Sequence, residues 1–409
     1  MRLHLLTSLL LILLIGGSLS ADEVKTLKGD VHKGTVLSVS TTEVRLRADR
    51  EMTLTAAEII GVELLLPPRA LPPTPYLRIR LVDGTLLRAH AFSLAGKEAT
   101  VHLFSGLTLK FPAGSLHWVL CDAHDPRQEA EFEELLRRNL GQDQLRLLSR
   151  DGQAINVFDG FIGDADTAGE TLSFTPEASA KVDVAIARVR GLIFARKLDQ
   201  TAPKAVCKAQ DNFGNVFNCH QVSQANGSFS LHTPAGLTLD MPVPFVQRFD
   251  FSLGKLAYLS DLDPVRLEES PILADLWHYR RDKNLEGAPL SLGGQTYAKG
   301  LALHSKTVIE YDVEGYSSFR CLVGIDENVQ GPAHAIIKLE ADGQVKLLEQ
   351  APPKITSTDA ASDPTKQKKA YHDVNLDIRG AKRLRITVDY GEDLDLGDHV
   401  IFADARVVK

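Results

Sequence analysis

The stretch Tyr297-Ala298-Lys299-Gly300-Leu301-Ala302-Leu303-His304-Ser305 decides how the last third of this chain is read. His304 closes an otherwise apolar strand, a setting in which histidine is more often a hydrogen-bonded core residue than a ligand contact. Further motifs follow in order: Gly315-Tyr316-Ser317-Ser318-Phe319, Val323-Gly324-Ile325-Asp326, Ala341-Asp342-Gly343 and Asp377-Ile378-Arg379-Gly380-Ala381-Lys382-Arg383-Leu384. The series closes on Gly397-Asp398-His399-Val400-Ile401-Phe402-Ala403-Asp404-Ala405-Arg406. They run from Tyr297 to Arg406, within a region reaching from Glu269 to Lys409.

In this order and at these separations the motifs resemble NPCBM, a carbohydrate-binding module found as an accessory of family 98 glycoside hydrolases and related to the family 51 carbohydrate-binding modules. The resemblance implies a jelly-roll-like (galactose-binding-like) β-sandwich over 269–409 that holds a glycan rather than cutting one. The chain departs from the family pattern at two places. An aspartate-tryptophan pair usually precedes Ala-Asp-Ala, and Ile401-Phe402 stands there; the usual glycine before the valine and histidine is Ala302. If the missing indole packs a core, Phe402 replaces it at little cost; if it faces ligand, specificity changes.

A chain of 409 residues is too long for one core and divides into domains. Hydrophobic residues at 44% and charged residues at 24% exclude wholesale disorder. The net charge of −7, with no basic stripe, lacks the footprint of a nucleic-acid binder. Residues 1–20 read as a secretory signal: Arg2, an apolar run from Leu5 to Ile15, then small residues, with cleavage after Ser20. The expected location is therefore exported, periplasmic or extracellular, and no later segment is long and apolar enough to span a bilayer. Export puts the four cysteines in an oxidising compartment. A hairpin centred on Phe213 sets Cys207 opposite Cys219, where a disulfide depends on the local geometry. Cys121 and Cys321 sit in apolar strand-like segments and read as buried thiols.

Between signal and module lies an internal repeat. Gly29 precedes Glu51-Met52-Thr53-Leu54, Gly84 precedes Gly106-Leu107-Thr108-Leu109, and Gly214 precedes Gly236-Leu237-Thr238-Leu239, each by 22 positions. A third unit, from Asp151-Gly152 to Lys181-Val182-Asp183-Val184, carries an insertion around Asp164 to Pro176. Apolar and polar residues alternate in each unit, as in Leu77, Ile79 and Leu81, and each closes on a short apolar strand. Four small SH3-like or Sm-like β repeats are expected, over 21–66, 74–122, 143–197 and 203–262, with Leu109 and Leu239 in equivalent small cores. Pro67-Pro68 and Pro72-Pro73 mark a stiff linker. One connecting helix is expected over 125–141, capped by Asp125, with Pro126 at its first position, Gln128 three residues beyond the cap and Phe132, Leu135 and Leu136 as its apolar stripe; it reads as a spacer packed on a neighbouring repeat.

A sugar site needs an apolar platform for the ring and a few fixed polar groups for its hydroxyls. Trp277, Tyr279, Arg281 and Asp282, in an irregular stretch before the first glycine-rich turn, are the candidates, although a structural Arg281-Asp282 pair explains them nearly as well, with His304 from the motif. Asp393, Asp395 and Asp398 lie in an acidic loop of the kind calcium favours, although a solvated loop explains them as well. Asp164-Ala165-Asp166 is a weaker version of the same pattern. No catalytic constellation stands out: there is no His-Glu-x-x-His, no Gly-x-Ser-x-Gly, and no carboxylate pair that can be singled out. The expectation is an exported, non-catalytic carbohydrate-binding protein. The rivals are a structural or adaptor protein whose repeats bind other proteins, and a glycan-active hydrolase.

Overall fold

A computed structural model describes residues 21–71, 74–138, 141–177, 179–270, 276–329, 333–352, 371–391 and 394–409. The expected signal at 1–20, Pro72-Pro73 and Asp393 lie outside the described residues. The chain forms two compact units, Met1–Leu253 and Gly254–Lys409. The sequence put this boundary at 261–270. It falls earlier because Leu256–Tyr258 pairs with Arg406–Val408 and so belongs to the second unit's sheet.

The first unit is built from the four repeats on one strand plan. The first strand of each pairs with the second and with the last. In repeat 1 these are Asp22–Thr26, Val31–Val39 and Ile59–Glu63; in repeat 2, Leu77–Leu81, Leu86–Ala95 and Leu116–Leu120. Repeat 3 uses Asp143–Leu148, Ile155–Ala165 and Val189–Ile193, and repeat 4 uses Cys207–Asp211, Val216–Cys219 and Val246–Asp250. A 3-10 turn precedes the last strand in repeats 2, 3 and 4. Gly84 and Gly214 hold equivalent turns at φ 87° and 83°, where a side chain is disfavoured. Even the His90–His102 ring pair recurs as His220–His232, with centroids 6.0 and 6.2 Å apart.

The repeats do not keep separate cores. The last strands pair across repeats, Val119 with Leu192 and Phe249 with Val62, while Leu86 of repeat 2 bridges Val216 of repeat 4. The spatial order is thus 3-2-4-1, and Leu109 and Leu239 lie in a single hydrophobic cluster drawn from all four repeats. Edge pairing merges what sequence spacing describes as separate cores, because each small curled sheet leaves an edge open. The helix Pro126–Arg137 is capped by Asp125, whose side chain accepts from Arg127 N at 2.9 Å. Gln128 does not close a capping box; its Oε1 accepts from Arg146 Nη2 at 3.1 Å. Phe132 and Leu135 pack with Trp118, Leu120 and Ile193, so the helix covers the seam between repeats 2 and 3.

Cys207 and Cys219 face each other in register, and all four cysteines are free thiols. Cys321 is buried as expected, whereas Cys121 is only half-buried.

The second unit is a β-sandwich. One antiparallel sheet runs Arg280–Arg281, Gly300–Leu303, Val400–Val408, Ser318–Ile325, His372–Asp377; the other runs Arg266–Glu269, Thr307–Asp312, Arg383–Tyr390, Ala335–Ala341, Gln344–Gln350. Leu301, Leu303, Ile309, Phe319, Val323, Ile386 and Val407 fill the space between them. Gly300 is required by close approach: a Cβ there would sit 2.5 Å from the Phe402 carbonyl oxygen. Phe402 is fully buried in this core and serves there as a packing residue.

Candidate functional site

The loops entering and leaving the central strands of the sandwich bring three rings together. Trp277 approaches the strand from Gly300 to Leu303 and the strand starting at Val400. Its ring centroid lies 4.8 Å from that of His399 and 6.4 Å from that of His304, and the two histidines are 5.5 Å apart. The half-buried indole rests on a small cluster of Leu285, Leu290, Leu292, Ala302, Ile401 and Ala403. This support fixes the ring and keeps one part of it at the surface. The alternation of Leu301-Ala302-Leu303 explains it: the leucines enter the main core, and the small Ala302 leaves room on the other face.

Buried carboxylates brace the histidine loops. Asp398 accepts from Ser305 Oγ at 2.6 Å and from His334 N at 2.9 Å. Asp326 accepts from Asn284 Nδ2 at 2.9 Å and from Asn328 N and Nδ2 at 3.0 Å, and its own N–H donates to the His399 carbonyl at 2.8 Å. His304 Nδ1 bonds to the Ser305 carbonyl. Burial, helped by neighbouring His304 and opposed by Asp326, pushes the His399 pKa down to about 4. His399 is therefore neutral at neutral pH and offers one ring donor and one ring acceptor, the pairing a sugar hydroxyl can use.

The candidate residues from the sequence separate into two groups. Trp277 and His304 share the ring cluster. Tyr279, Arg281 and Asp282 serve the framework: Arg281 Nη2 reaches Asp263 at 3.0 Å and the Tyr279 hydroxyl at 3.1 Å, while Tyr279 packs on the main core. Asp282 accepts from Lys299 Nζ at 2.8 Å and from Gly300 N at 3.1 Å. Burial raises the Asp282 pKa, but the Lys299 and Ser260 side chains and the Gly300 N–H outweigh it and hold the carboxyl below its ordinary value. Lys299 also reaches Asp261. So the Tyr297-to-His304 motif mixes two placements, with Lys299 and Gly300 locking strands and His304 in the ring cluster. His399 is the member of that cluster that sequence selection left out, although the closing motif Gly397-Asp398-His399 had displayed it.

Of the calcium candidates Asp393, Asp395 and Asp398, the first lies outside the described residues. Asp398 directs both oxygens at protein donors and Asp395 is buried. Among the described residues no group of three or more His, Cys, Asp or Glu is arranged to hold a metal ion.

Residues 255–408 match the NPCBM/NEW2 domain family. The NPCBM unit thus coincides with the second compact unit and includes the early strand Leu256–Tyr258. Among solved structures, one similar chain is described as CBM51-2 in complex with GlcNAc and INT domains from Clostridium perfringens ZmpB. It is 21% identical, with 49% of this chain and 38% of that one covered, at a TM-score of 0.32. The CBM51 from Clostridium perfringens GH95 in complex with methyl-galactose is 23% identical over 37% of this chain and 99% of its own, at a TM-score of 0.30. The tandem CBM51 modules of Sp3GH98 from Streptococcus pneumoniae SP3-BS71 are 15% identical over 64% and 88%, also at 0.30. This chain therefore spans well under half of the first of these proteins. No curated protein matches it.

Proposed function

We propose that the NPCBM unit binds a neutral glycan at the Trp277, His304 and His399 cluster, and that the protein is exported and acts by binding rather than by catalysis. The observation that carries this reading is the convergence of a supported indole with two histidines in a unit of a carbohydrate-binding family. The Trp277 ring supplies the apolar platform for a sugar's C–H face, and the neutral His399 ring supplies hydroxyl contacts. A small polar ligand buries little surface, so a weak single-site interaction follows. Supporting export, the first strand of the folded unit starts at Asp22, directly after the expected cut at Ser20. N-terminal sequencing of the secreted protein should begin at Ala21.

The test is titration of the full chain with galactose-type and other neutral sugars, guided by a glycan array. Binding weakened by about tenfold or more in Trp277→Ala and in His399→Phe, both still folded, supports the site. Binding unchanged in both moves the site elsewhere on the sandwich, and no binding to any glycan favours the adaptor reading. Product released from a glycan would instead make the protein a hydrolase. The adaptor reading draws on one observation: Val157, Phe158 and Phe161 of repeat 3 are exposed apolar residues on one strand.

A further inference from the structure

Repeats 2 and 4 meet through the beginnings of their second strands, where Leu86 bridges Val216 in antiparallel fashion. Asn215 Oδ1 accepts from Arg88 N at 2.7 Å, and Thr85 Oγ1 accepts from Asn218 N at 3.2 Å. The contact reads the same from either side. In each repeat the residue after the turn glycine offers a side-chain oxygen, the next one along the strand fills the middle, and the residue four after the glycine gives its backbone N–H to the opposite repeat.

Repeat 1 carries the same edge uncovered. After Gly29 come Asp30, Val31 and Lys33, in the places of Thr85, Leu86 and Arg88. The turn bond Thr26 N to Asp30 O, equivalent to Leu81 N to Thr85 O, sets the ladder. Bonded pairs alternate along an antiparallel ladder, so the backbone groups of Val31 and Lys33 point away from Asp22–Thr26 to the open side. Among the described residues, Val31–Gly34 pair with that strand alone, and pairing with the third strand begins at Thr35. Val31 is 49% exposed, whereas Leu86 and Val216, opposite each other in the bridge, are half-buried, Leu86 also packing on the Trp118 and Phe132 cluster. An open strand edge with an exposed apolar residue is a template for pairing with another strand.

Repeat 3 lacks the equivalent complementarity. Its turn is one residue longer, closing from Ser149 N to Ala154 O, and places Ala154 where the other repeats have an oxygen-bearing side chain. Repeat 1 keeps both halves of the pattern. Asp30 shares only Oδ2 with Thr26 Oγ1, at 3.4 Å, and so retains acceptor capacity. Lys33 adds an exposed ammonium beside the N–H it would offer, held at 2.8 Å by Glu23.

We propose that the Asp30–Lys33 edge of repeat 1 docks onto the same edge of a second copy of this chain, forming a two-fold dimer that repeats between molecules the contact made between repeats 2 and 4. Val31 packs on the partner subunit's Val31, as Leu86 does on Val216. Asp30 faces the N–H and ammonium of the partner subunit's Lys33, and the symmetry makes this contact twice.

Sedimentation of the full chain across a concentration series tests the proposal. A monomer–dimer equilibrium is expected, lost in Val31→Asp. Asp30→Lys and Lys33→Glu should each weaken association by about tenfold or more, because like charges then face across the two-fold. An equimolar mixture of these two variants should recover wild-type association, since each supplies the charge the other has lost. That recovery cannot come from misfolding, so the test survives even if Val31→Asp fails to fold. A chain monomeric throughout the series overturns the proposal. So does association untouched by both charge reversals, or association abolished by Phe161→Asp on repeat 3 while both reversals leave it intact.

Discussion

The two units bury polar groups in different ways. In the repeats such groups close turns and strand ends, or join the edges of two repeats as Thr85 and Asn215 do. Asp211 accepts from Phe213 N, Asn215 N and Asn215 Nδ2 within its own hairpin, and Asp143 accepts from Ile162 N and Ala195 N of its own repeat. In the NPCBM unit, buried polar residues from distant parts of the chain meet at one place: Asn284 with Asp326, Ser305 and His334 with Asp398, and His304 with His399. Burying a polar group costs free energy unless it is paired. Turns, strand ends and the edge between repeats 2 and 4 account for that cost in the repeats; in the NPCBM unit the convergence positions a ring cluster that remains half-open through Trp277. Function is therefore sought in the second unit, and assembly in the edges of the first.

The sharpest way to break this contrast is to open each core. Phe402→Ala should cost about 3–5 kcal/mol, because a fully buried aromatic leaves a cavity between two packed sheets. Chemical denaturation followed by tryptophan fluorescence checks it, and a loss within the range of surface substitutions would return Phe402 to the ligand side. Leu109→Ala and Leu239→Ala should each cost about 2–5 kcal/mol and resemble one another, since both sit at the same repeat position in one cluster. Widely different losses would mean the repeats are equivalent in strand plan but not in packing.

A smaller effect is expected at the site. Trp277→Ala should weaken glycan binding by about tenfold, roughly 1.4 kcal/mol, with the unfolding midpoint of the sandwich nearly unchanged. Isothermal titration beside a thermal melt separates the two. If stability falls and affinity does not, the indole belongs to the small cluster beneath it and to nothing else.

The remaining test is a pH dependence, spread gradually over more than two pH units. His399 titrates near its ordinary value of about 6.5 when unfolded and at about 4 when folded. Between these values the unfolded chain binds a proton that the folded one does not, so stability is lost as pH falls from 6.5 towards 4. Melting temperatures of the wild type and His399→Gln across this range should converge as the pH falls, because only the wild type carries the penalty. Parallel curves would place His399 in a more solvated setting.

Periodicity and turn glycines disclosed much of this protein. The alternation in Leu77, Ile79 and Leu81, the spacing of Gly84 and Gly214, and the Asp125-Pro126 start of the helix are local signals, and local backbone preference acts before any tertiary contact forms. The Tyr297-to-Ser305 motif likewise pointed to the sandwich. Its side chains were harder to assign, because Lys299, Gly300 and His304 are neighbours in sequence and differ only in what approaches them from afar. Arg281 and Asp282 fit a ligand-facing or a structural role equally in sequence; their partners Asp263 and Lys299 come from elsewhere in the chain.

The sequence by itself determined the strands, the repetition in four units, the helix that starts at Asp125-Pro126 and the kind of module over the last third, since each follows from spacing along the chain. Only the tertiary structure decided that the repeats share one core in the order 3-2-4-1, that Phe402 packs inside, and that His399 joins Trp277 and His304. Those outcomes rest on contacts between segments tens to more than a hundred residues apart, and no local pattern carries their geometry.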